Sequence, residues 1–445
     1  MPPRFVIVGH GPAGRSAAET IRSREPGAAI TIVSAEPDPF YSRPGLAYLL
    51  ANEIPEKQLF SRSEDQDRTL GLERIHAQAV AIEPEAHLVR LSDGRELPYD
   101  ALLLATGSKA ILPDVPGNDL DGVVTLDNLP DTRHILDVVR RARRRGSQAG
   151  AAVVVGGGIT ALEVVEGLLS RGVTTHYLLR HAHFWSNVLS EQESDLILHR
   201  LREMGTQIHL ESDLARIDGR GGRVTAVETS GGETIPCSVV GVAIGVRPQV
   251  GLARDAGLRV ERGVVVDDGM RTSAPDVFAA GDIAQVVDPR TGQATLDILW
   301  PTAIATGRVA GANMSGGDLH YAKAAPFNFA RLAELPITII GQVGTGRADA
   351  DMVAAGRGAS EGWETNEPLR SVVSTEPPEL QRWVLRGNRL VGAVLLGDQR
   401  LAEPLRDLIE HQTDIGPIRE TLLAPDATTA EAITVFAGLS RVTAA

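Results

Sequence analysis

The stretch FVIVGHGPAG, Phe5–Gly14, decides how the rest of the chain is read. Phe5 to Val8 is a continuous β-branched and aromatic run that stops at Gly9, and from Ala13 to Arg24 apolar residues recur at helical spacing. Ala29 to Ser34 is a second apolar strand, so the opening segment predicts a strand-helix-strand unit. Gly9, Gly11 and Gly14 stand in G-x-G-x-x-G spacing on the strand-to-helix turn, with Pro12 and Ala13 between them. The first glycine permits the turn, the second lets backbone approach a pyrophosphate, and the third lets the helix lie close to the strand. Phosphates placed there meet the positive end of the helix dipole. Glu36, at the end of the second strand, is the acid that this fingerprint sets about 20 residues on, as acceptor for ribose hydroxyls.

The same device returns 147 residues later, counted from Gly9 to Gly156. In VVVGGGITALEVVEGL (Val153–Leu168) a strand from Ala151 to Val155 meets Gly156 and Gly158, then Ile159, Thr160 and Ala161, the last an accepted substitute for the third glycine. A helix around Ala161 to Ser170 and a strand near Thr175 to Leu179 complete the unit. Further short strands are expected at Arg74–Ile82, with Val80 in it, and at His87–Leu91, Ala101–Ala105, Gln207–Leu210, Arg223–Glu228 and Ser238–Ala243; SDG and SGG mark hairpin turns. Asp131 to Arg145 reads as a helix whose basic run is a solvated face or a docking face. From about Ala322 the pattern changes to α+β, with strands at Ile337–Gly341, Leu380–Arg386 and Leu390–Leu396 and a helix at Ala402–Gln412; Ala348–Glu367 reads as a loop.

At 445 residues there is chain enough for about three domains. The net charge of -13 opposes binding to nucleic acid or anionic lipid, both of which meet a repulsive field. No apolar run approaches a membrane span and none precedes the first strand, so the expectation is a soluble, cytoplasmic protein. Cys237 is the single cysteine, which excludes an internal disulfide, a dithiol pair and a four-thiolate iron-sulfur site; no metal site is expected.

ALLLATGS (Ala101–Ser108) ends a strand in Ala105-Thr106-Gly107, and TSAPDVFAAGDIAQ (Thr272–Gln285) ends another in Gly281-Asp282. With the two glycine loops, in that order, the chain resembles the pyridine-nucleotide-dependent flavoprotein reductases, which have two dinucleotide-binding domains. The resemblance implies an α/β fold of two Rossmann-like domains plus a C-terminal α+β domain. The FAD domain would be discontinuous, over 1–112 and 245–321, with the NAD(P) domain at 113–244 and the third domain at 322–445. It further implies FAD on the first loop, with Asp282 on the ribitol, and NADH or NADPH on the second, with Gly245 on the returning strand of GVAIGVRP (Gly241–Pro248). In DPFYSRPGLAYLL (Asp38–Leu50) it sets Arg43 near the pyrophosphate and Pro44 beside the isoalloxazine. In LWPTAIATGRVAG (Leu299–Gly311) it sets Pro301 and Thr302 over the pyrimidine ring, with Trp300 either shielding the ring or filling core.

Two catalytic candidates follow from the resemblance. Glu163 would orient the nicotinamide carboxamide, unless it is only a solvated helix carboxylate. Tyr48 stands where many ferredoxin-reductase-like members carry a lysine near flavin N5, and is either a neutral hydrogen-bond donor there or helix packing. Redox cysteines of the disulfide reductases are absent from this neighbourhood. Arg180 ends the strand THYLLR where an acid ordinarily takes the 2′-hydroxyl of NADH, and an arginine there suits a 2′-phosphate, with His181 and His183 as possible additions to the patch. The segment Arg389–Ile415 is similar to the small domain of NADH:rubredoxin reductases and nitrite reductase large subunits. The implied activity is electron transfer from NAD(P)H through FAD to an outside acceptor such as a ferredoxin or rubredoxin. An oxidase using dioxygen and a flavin-bound redox sensor or assembly subunit remain open, as does a homodimer.

Overall fold

In the computed structural model, residues 2–60, 64–144, 150–287, 294–344, 352–358, 363–365, 380–423 and 429–444 are described. They form two compact units. The first comprises residues 1–46, 54–111 and 246–323. Its centre is a five-stranded parallel sheet in the order Val277–Ala279, Ala101–Leu104, Arg4–Val8, Ala29–Ser34, Leu72–His76. Ile7, Ile32, Leu102 and Leu103 are wholly buried, because parallel strands are covered on both faces and the sequence there is continuously apolar rather than alternating. Arg4–Val8 is flanked by Ala29–Ser34 on one side and Ala101–Leu104 on the other. The connections diverge at its C-terminal end, and in such sheets that is where ligands bind.

Two helices of this unit meet backbone to backbone. Pro12–Arg24 and Trp300–Met314 approach so closely that a Cβ added at Gly307 falls 2.2 Å from the Ala13 carbonyl oxygen, and one at Gly311 falls 2.5 Å from that of Ala17. Gly307 and Gly311 are one turn apart, so the small residues line one face.

The second unit comprises residues 47–53, 112–245 and 324–445. Its parallel sheet, in the order Gln207–His209, Thr175–Leu178, Ala152–Val155, Val239–Val242, Val123–Val124, repeats the arrangement of the first. A six-stranded antiparallel sheet runs Phe327–Leu332, Leu335–Gly341, Arg389–Leu396, Leu380–Arg386, Met352–Gly358, Trp363–Thr365. Leu332, Ile337 and Val394 of that sheet share one core with Leu162, Val165 and Leu168 of the helix Ile159–Ser170. The 324–445 segment therefore also shares apolar core with the helix that follows the second glycine loop. A separate cluster around Trp383, Leu405 and Ile433 packs the sheet against the helices Ala402–Glu410 and Thr429–Ala444.

Two local expectations need correction. Arg74–Ile82 is not one strand: Leu72–His76 belongs to the parallel sheet and Ala79–Glu83 to an antiparallel hairpin sheet. The Gln78 N–H donates to the Ser92 hydroxyl while the Ser92 N–H donates to the Gln78 carbonyl, which turns the chain where apolar alternation runs on unbroken. Within Ala348–Glu367, Met352–Gly358 and Trp363–Thr365 are paired strands, so the polar composition hid a hairpin; the remainder of that stretch lies outside the described residues. Asp131–Arg145 is helical over Leu129–Arg144. Among the described residues no helix is long and apolar enough to cross a membrane.

The close helix pair yields a direct test. Gly311→Ala should lower the unfolding free energy by about 1–3 kcal/mol, the usual penalty of overpacking, as measured by denaturant titration. A loss within error of zero would show that the helices have slack and that the contact is not limiting.

Candidate functional site

The first loop is shaped by what it lacks. Gly9 has φ +118, and a Cβ there would lie 2.1 Å from the Ala105 carbonyl oxygen; one at Gly14 would lie 2.1 Å from the Gly9 carbonyl oxygen. Around Gly11 the position of a Cβ is open, so this face of the loop is free for a ligand. Gly11 caps the helix without a side-chain hydrogen bond, Pro12 opens it, and its first turn holds no acid. Uncapped amides at the positive helix end form an anion site. Ala13 is buried beneath them.

Charged groups gather at the strand ends of this unit. Glu36 accepts from the Tyr41 hydroxyl at 2.5 Å and pairs with Arg43, whose guanidinium lies over the Tyr41 ring. The sequence-predicted Glu36 and Arg43 are thus brought together. Thr106 and Gly107 are tied to Gln249: the Thr106 hydroxyl donates to the Gln249 carbonyl at 2.9 Å, and Gln249 donates back to the Thr106 and Gly107 carbonyls. Ser108 donates to Asp282 at 2.6 Å, yet burial holds the Asp282 carboxyl above its ordinary value. Gly281 has φ +76, and its N–H donates to the Thr306 hydroxyl. Thr302 donates to Asp297 at 3.0 Å, and Asp297 faces Lys323 at 4.0 Å; these groups line one recess with Gly281 and Tyr321. The Trp300 ring stands tilted against Phe40, ring centroids 6.0 Å apart, while Pro301 and Val80 are exposed. Pro44 is exposed, just before the helix Gly45–Leu50.

The second loop copies the first. Gly156 has φ +145, and its Cβ would lie 2.1 Å from the Ala243 carbonyl oxygen, while Gly158 caps the helix Ile159–Ser170 with no side-chain bond. Thr160 is exposed at the helix start, Ile159 half-buried, and Gly245 has φ +125. Glu163 and Glu166 lie three residues apart on this helix and are half-buried. Burial and their mutual repulsion push the Glu163 carboxyl up to about 7, and burial does the same to Glu166 against the Glu334 N–H that donates to it. Tyr48 sits in the same unit, with the Arg331 guanidinium 6.0 Å from its ring centre; Arg331 also pairs with Glu53.

Arg180 is exposed and donates through Nε to Asp213 at 2.8 Å. His183 faces Glu191 and Asp195. Cys237 is buried and its thiol is pushed up to about 12, far from a reactive thiolate. Among the described residues no three His, Cys, Asp or Glu are placed to hold a metal ion. The sequence reasoning passed over His10, Arg15, Asp67, Ser108, Glu166, Asp297, Lys323 and Arg331. Glu166, one turn beyond Glu163, and Lys323, one of three lysines, had a visible signal; Asp67 and Arg331 depend on tertiary placement alone.

The open, anion-attracting loops, the half-buried Asp282 and the Glu36 carboxylate fit FAD, and the second loop fits a nicotinamide dinucleotide. Residues 3–307 match the pyridine nucleotide-disulphide oxidoreductase family. The chain is 33% identical over 410 residues to the ferredoxin--NAD(+) reductase component of the anthranilate 1,2-dioxygenase system of Burkholderia cepacia, covering 90% of this chain and 97% of that protein. It is 29% identical to the nitric oxide reductase FlRd-NAD(+) reductase of Salmonella gallinarum, covering 78% of this chain and 87% of that one. Among solved structures, putidaredoxin reductase in its covalent complex with putidaredoxin shares the fold, with a TM-score of 0.83 at 24% identity over 98% of this chain and 99% of that chain. NADH:rubredoxin oxidoreductase from Clostridium acetobutylicum gives a TM-score of 0.72 at 22% identity over 98% and 99%.

The raised carboxyls carry a pH signature. Folded Glu163 keeps a proton that the unfolded chain releases near 4.5, so its contribution to stability is fully present below that pH and is lost as pH rises to about 7. Glu163→Gln, which mimics the protonated form, should raise the melting temperature above that of the parent at pH 8, with the gap closing by pH 4.5. An equal gap at both pH values would sink the assignment.

Proposed function

Because the chain belongs to the pyridine nucleotide-disulphide oxidoreductase family, we propose that it takes electrons from NAD(P)H and delivers them through FAD to an iron-sulfur protein of the ferredoxin or rubredoxin kind. It is an FAD-dependent NAD(P)H oxidoreductase. The observation that carries the reading is the pair of strand-to-helix loops with one geometry, Gly9 against Ala105 and Gly156 against Ala243, in a chain with no thiol free to act. FAD held on the first loop would supply the redox chemistry, as acceptor of hydride from a nicotinamide and donor of electrons singly or in pairs. Residues 1–112 and 245–321 are assigned to FAD, 113–244 to NAD(P)H, and 322–445 to the α+β segment.

The chain's own residues bind and orient. Gly9, Gly11, Pro12, Ala13 and Gly14 present helix amides to the pyrophosphate, Arg43 adds a cation to that side, and Glu36 accepts from the ribose. Asp282, kept in place by Ser108, holds the ribitol, with Gly281, Thr302 and the Ala105-Thr106-Gly107 turn forming the rest of the cradle. Pro44, Val80, Trp300 and Pro301 supply apolar walls. On the other loop Gly156, Gly158, Ile159, Thr160 and Gly245 hold the nicotinamide dinucleotide, and Glu163 orients its carboxamide. Tyr48 replaces a cation with a neutral donor.

Relatives named for iron-sulfur acceptors support the choice of acceptor: the Burkholderia component is a ferredoxin--NAD(+) reductase. One curated relative, 29% identical, is an NADH oxidase of Methanocaldococcus jannaschii, so oxygen is the rival acceptor. Anaerobic mixing with NADH should bleach the flavin within seconds, and an added ferredoxin or rubredoxin should restore the colour far faster than air does. Reoxidation by air alone at the same rate would make the chain an oxidase, and a flavin that stays coloured would end the enzyme reading.

Among the described residues Arg180 donates through Nε alone, to Asp213, leaving its remaining N–H groups for a 2′-phosphate. The site therefore accepts NADPH beside NADH. Arg180→Ala should raise KM for NADPH by about ten- to a hundredfold, the worth of a charged hydrogen bond, and leave NADH nearly unchanged. Equal effects on both nucleotides would remove Arg180 from the specificity site.

A further inference from the structure

His10 lies inside the first glycine loop, between Gly9 and Gly11, and no part of the redox reading uses it. Its side chain is 4% exposed, and neither ring nitrogen has a hydrogen-bond partner. The ring stands against Phe40, centroids 5.9 Å apart. Around it are the charged groups of four elements: Arg15 from the helix Pro12–Arg24, Asp67 from the helix Glu64–Thr69, Arg74 from the strand Leu72–His76, and Glu36 beyond the strand Ala29–Ser34. Asp67 is 4.0 Å from Nε2, too far for a hydrogen bond, and is engaged by Arg15.

Such a ring is costly to keep unless it has a use, because an apolar side chain of similar shape would fill the space without two orphaned nitrogens. Burial, then Arg15 and Arg74, hold the imidazole low, at about 4, with Glu36 opposing. It is therefore neutral at physiological pH. Beyond burial, the groups that hold it low are cationic, and a bound anion would offset them. The neighbouring helix start is uncapped and free of acid, so an anion is the ligand this loop attracts.

We propose that His10 is the proton-linked partner of the dinucleotide's diphosphate, taking up one proton from solvent as the diphosphate settles on the first loop. This rests on the assignment of FAD to that loop. The two phosphate charges outweigh the repulsion from Arg15 and Arg74, and the imidazolium then has two N–H donors where the neutral ring has one. One serves phosphate oxygen, and the other gains Asp67 as its counter-charge. No bond of the dinucleotide forms or breaks.

The test is calorimetry on the full-length chain freed of flavin, titrated with FAD at pH 5.5 in buffers of different ionisation enthalpy. The expected result is uptake of close to one proton by the parent and of none by His10→Gln. Affinity of the parent should also rise about tenfold per pH unit lowered across this range, while that of the variant stays flat. Equal proton counts in parent and variant, or no uptake by the parent, would overturn the proposal while leaving FAD binding intact. No binding heat at all would instead overturn the FAD assignment and this proposal with it. Should His10→Gln fail to fold, ¹⁵N-histidine spectra of the parent decide the matter: a ring that becomes imidazolium on adding FAD supports it, and one that stays neutral overturns it.

Discussion

Everything in this chain depends on backbone passing backbone with no side chain between. At Gly9 and again at Gly156 the strand-to-helix turn runs so near the carbonyl of the neighbouring strand, Ala105 or Ala243, that even a methyl group is forbidden. The closeness places the first helix amides at the carboxyl edge of a parallel sheet, where the connections diverge. A fixed array of N–H donors needs no reorganisation when a phosphate arrives, so binding free energy goes into holding the ligand rather than ordering the site. In the first unit the contact between Pro12–Arg24 and Trp300–Met314 fixes the helix by the same means, through Gly307 and Gly311.

Around the loops the protein keeps charge half out of water, and burial decides the sign. Asp282 is held above its ordinary value although Ser108 donates to it, because desolvation outweighs one hydrogen bond. Asp297, beside Lys323 and Thr302, adds negative charge behind it. A carboxylate that has already lost part of its hydration gains more from a ligand hydroxyl than a solvated one does. The same logic separates Glu36, whose Tyr41 and Arg43 partners leave it an acceptor in reserve, from Glu163, which has the like charge of Glu166 beside it.

The parallel sheets and both loops were legible in the sequence because their causes are local: apolar runs bounded by glycine, followed by helical periodicity. Glu36, Asp282 and Glu163 were singled out through motif order, Glu36 after a strand end and the other two after a glycine turn. What escaped was tertiary. Arg74–Ile82 alternates correctly through a corner that only the Gln78–Ser92 pairing reveals. The hairpin of Met352–Gly358 and Trp363–Thr365 hides in polar composition, because glycine and acid there mask strand pairing. Arg180 was singled out, but its partner Asp213, 33 residues on, was not, since nothing local links one strand end to the segment beyond the next strand.

The C-terminal segment is easily taken for an appendage, yet its residues complete the surroundings of Glu166 and Tyr48 within the second unit. The hairpin joining Phe327–Leu332 to Leu335–Gly341 turns at Ala333 and Glu334, both at positive φ although neither is glycine. Residues hold that conformation when their surroundings over-determine it. Here the Glu334 N–H reaches Glu166, and the Ala333 carbonyl accepts from Arg200. The turn also fixes Arg331 over Tyr48, with Glu53 taking its charge. Here the guanidinium over the Tyr48 ring is paired with a carboxylate, so the charge beside that phenol is set by a hairpin remote in sequence. Loosening that hairpin would change the charge around Glu166 and Tyr48 without altering either residue.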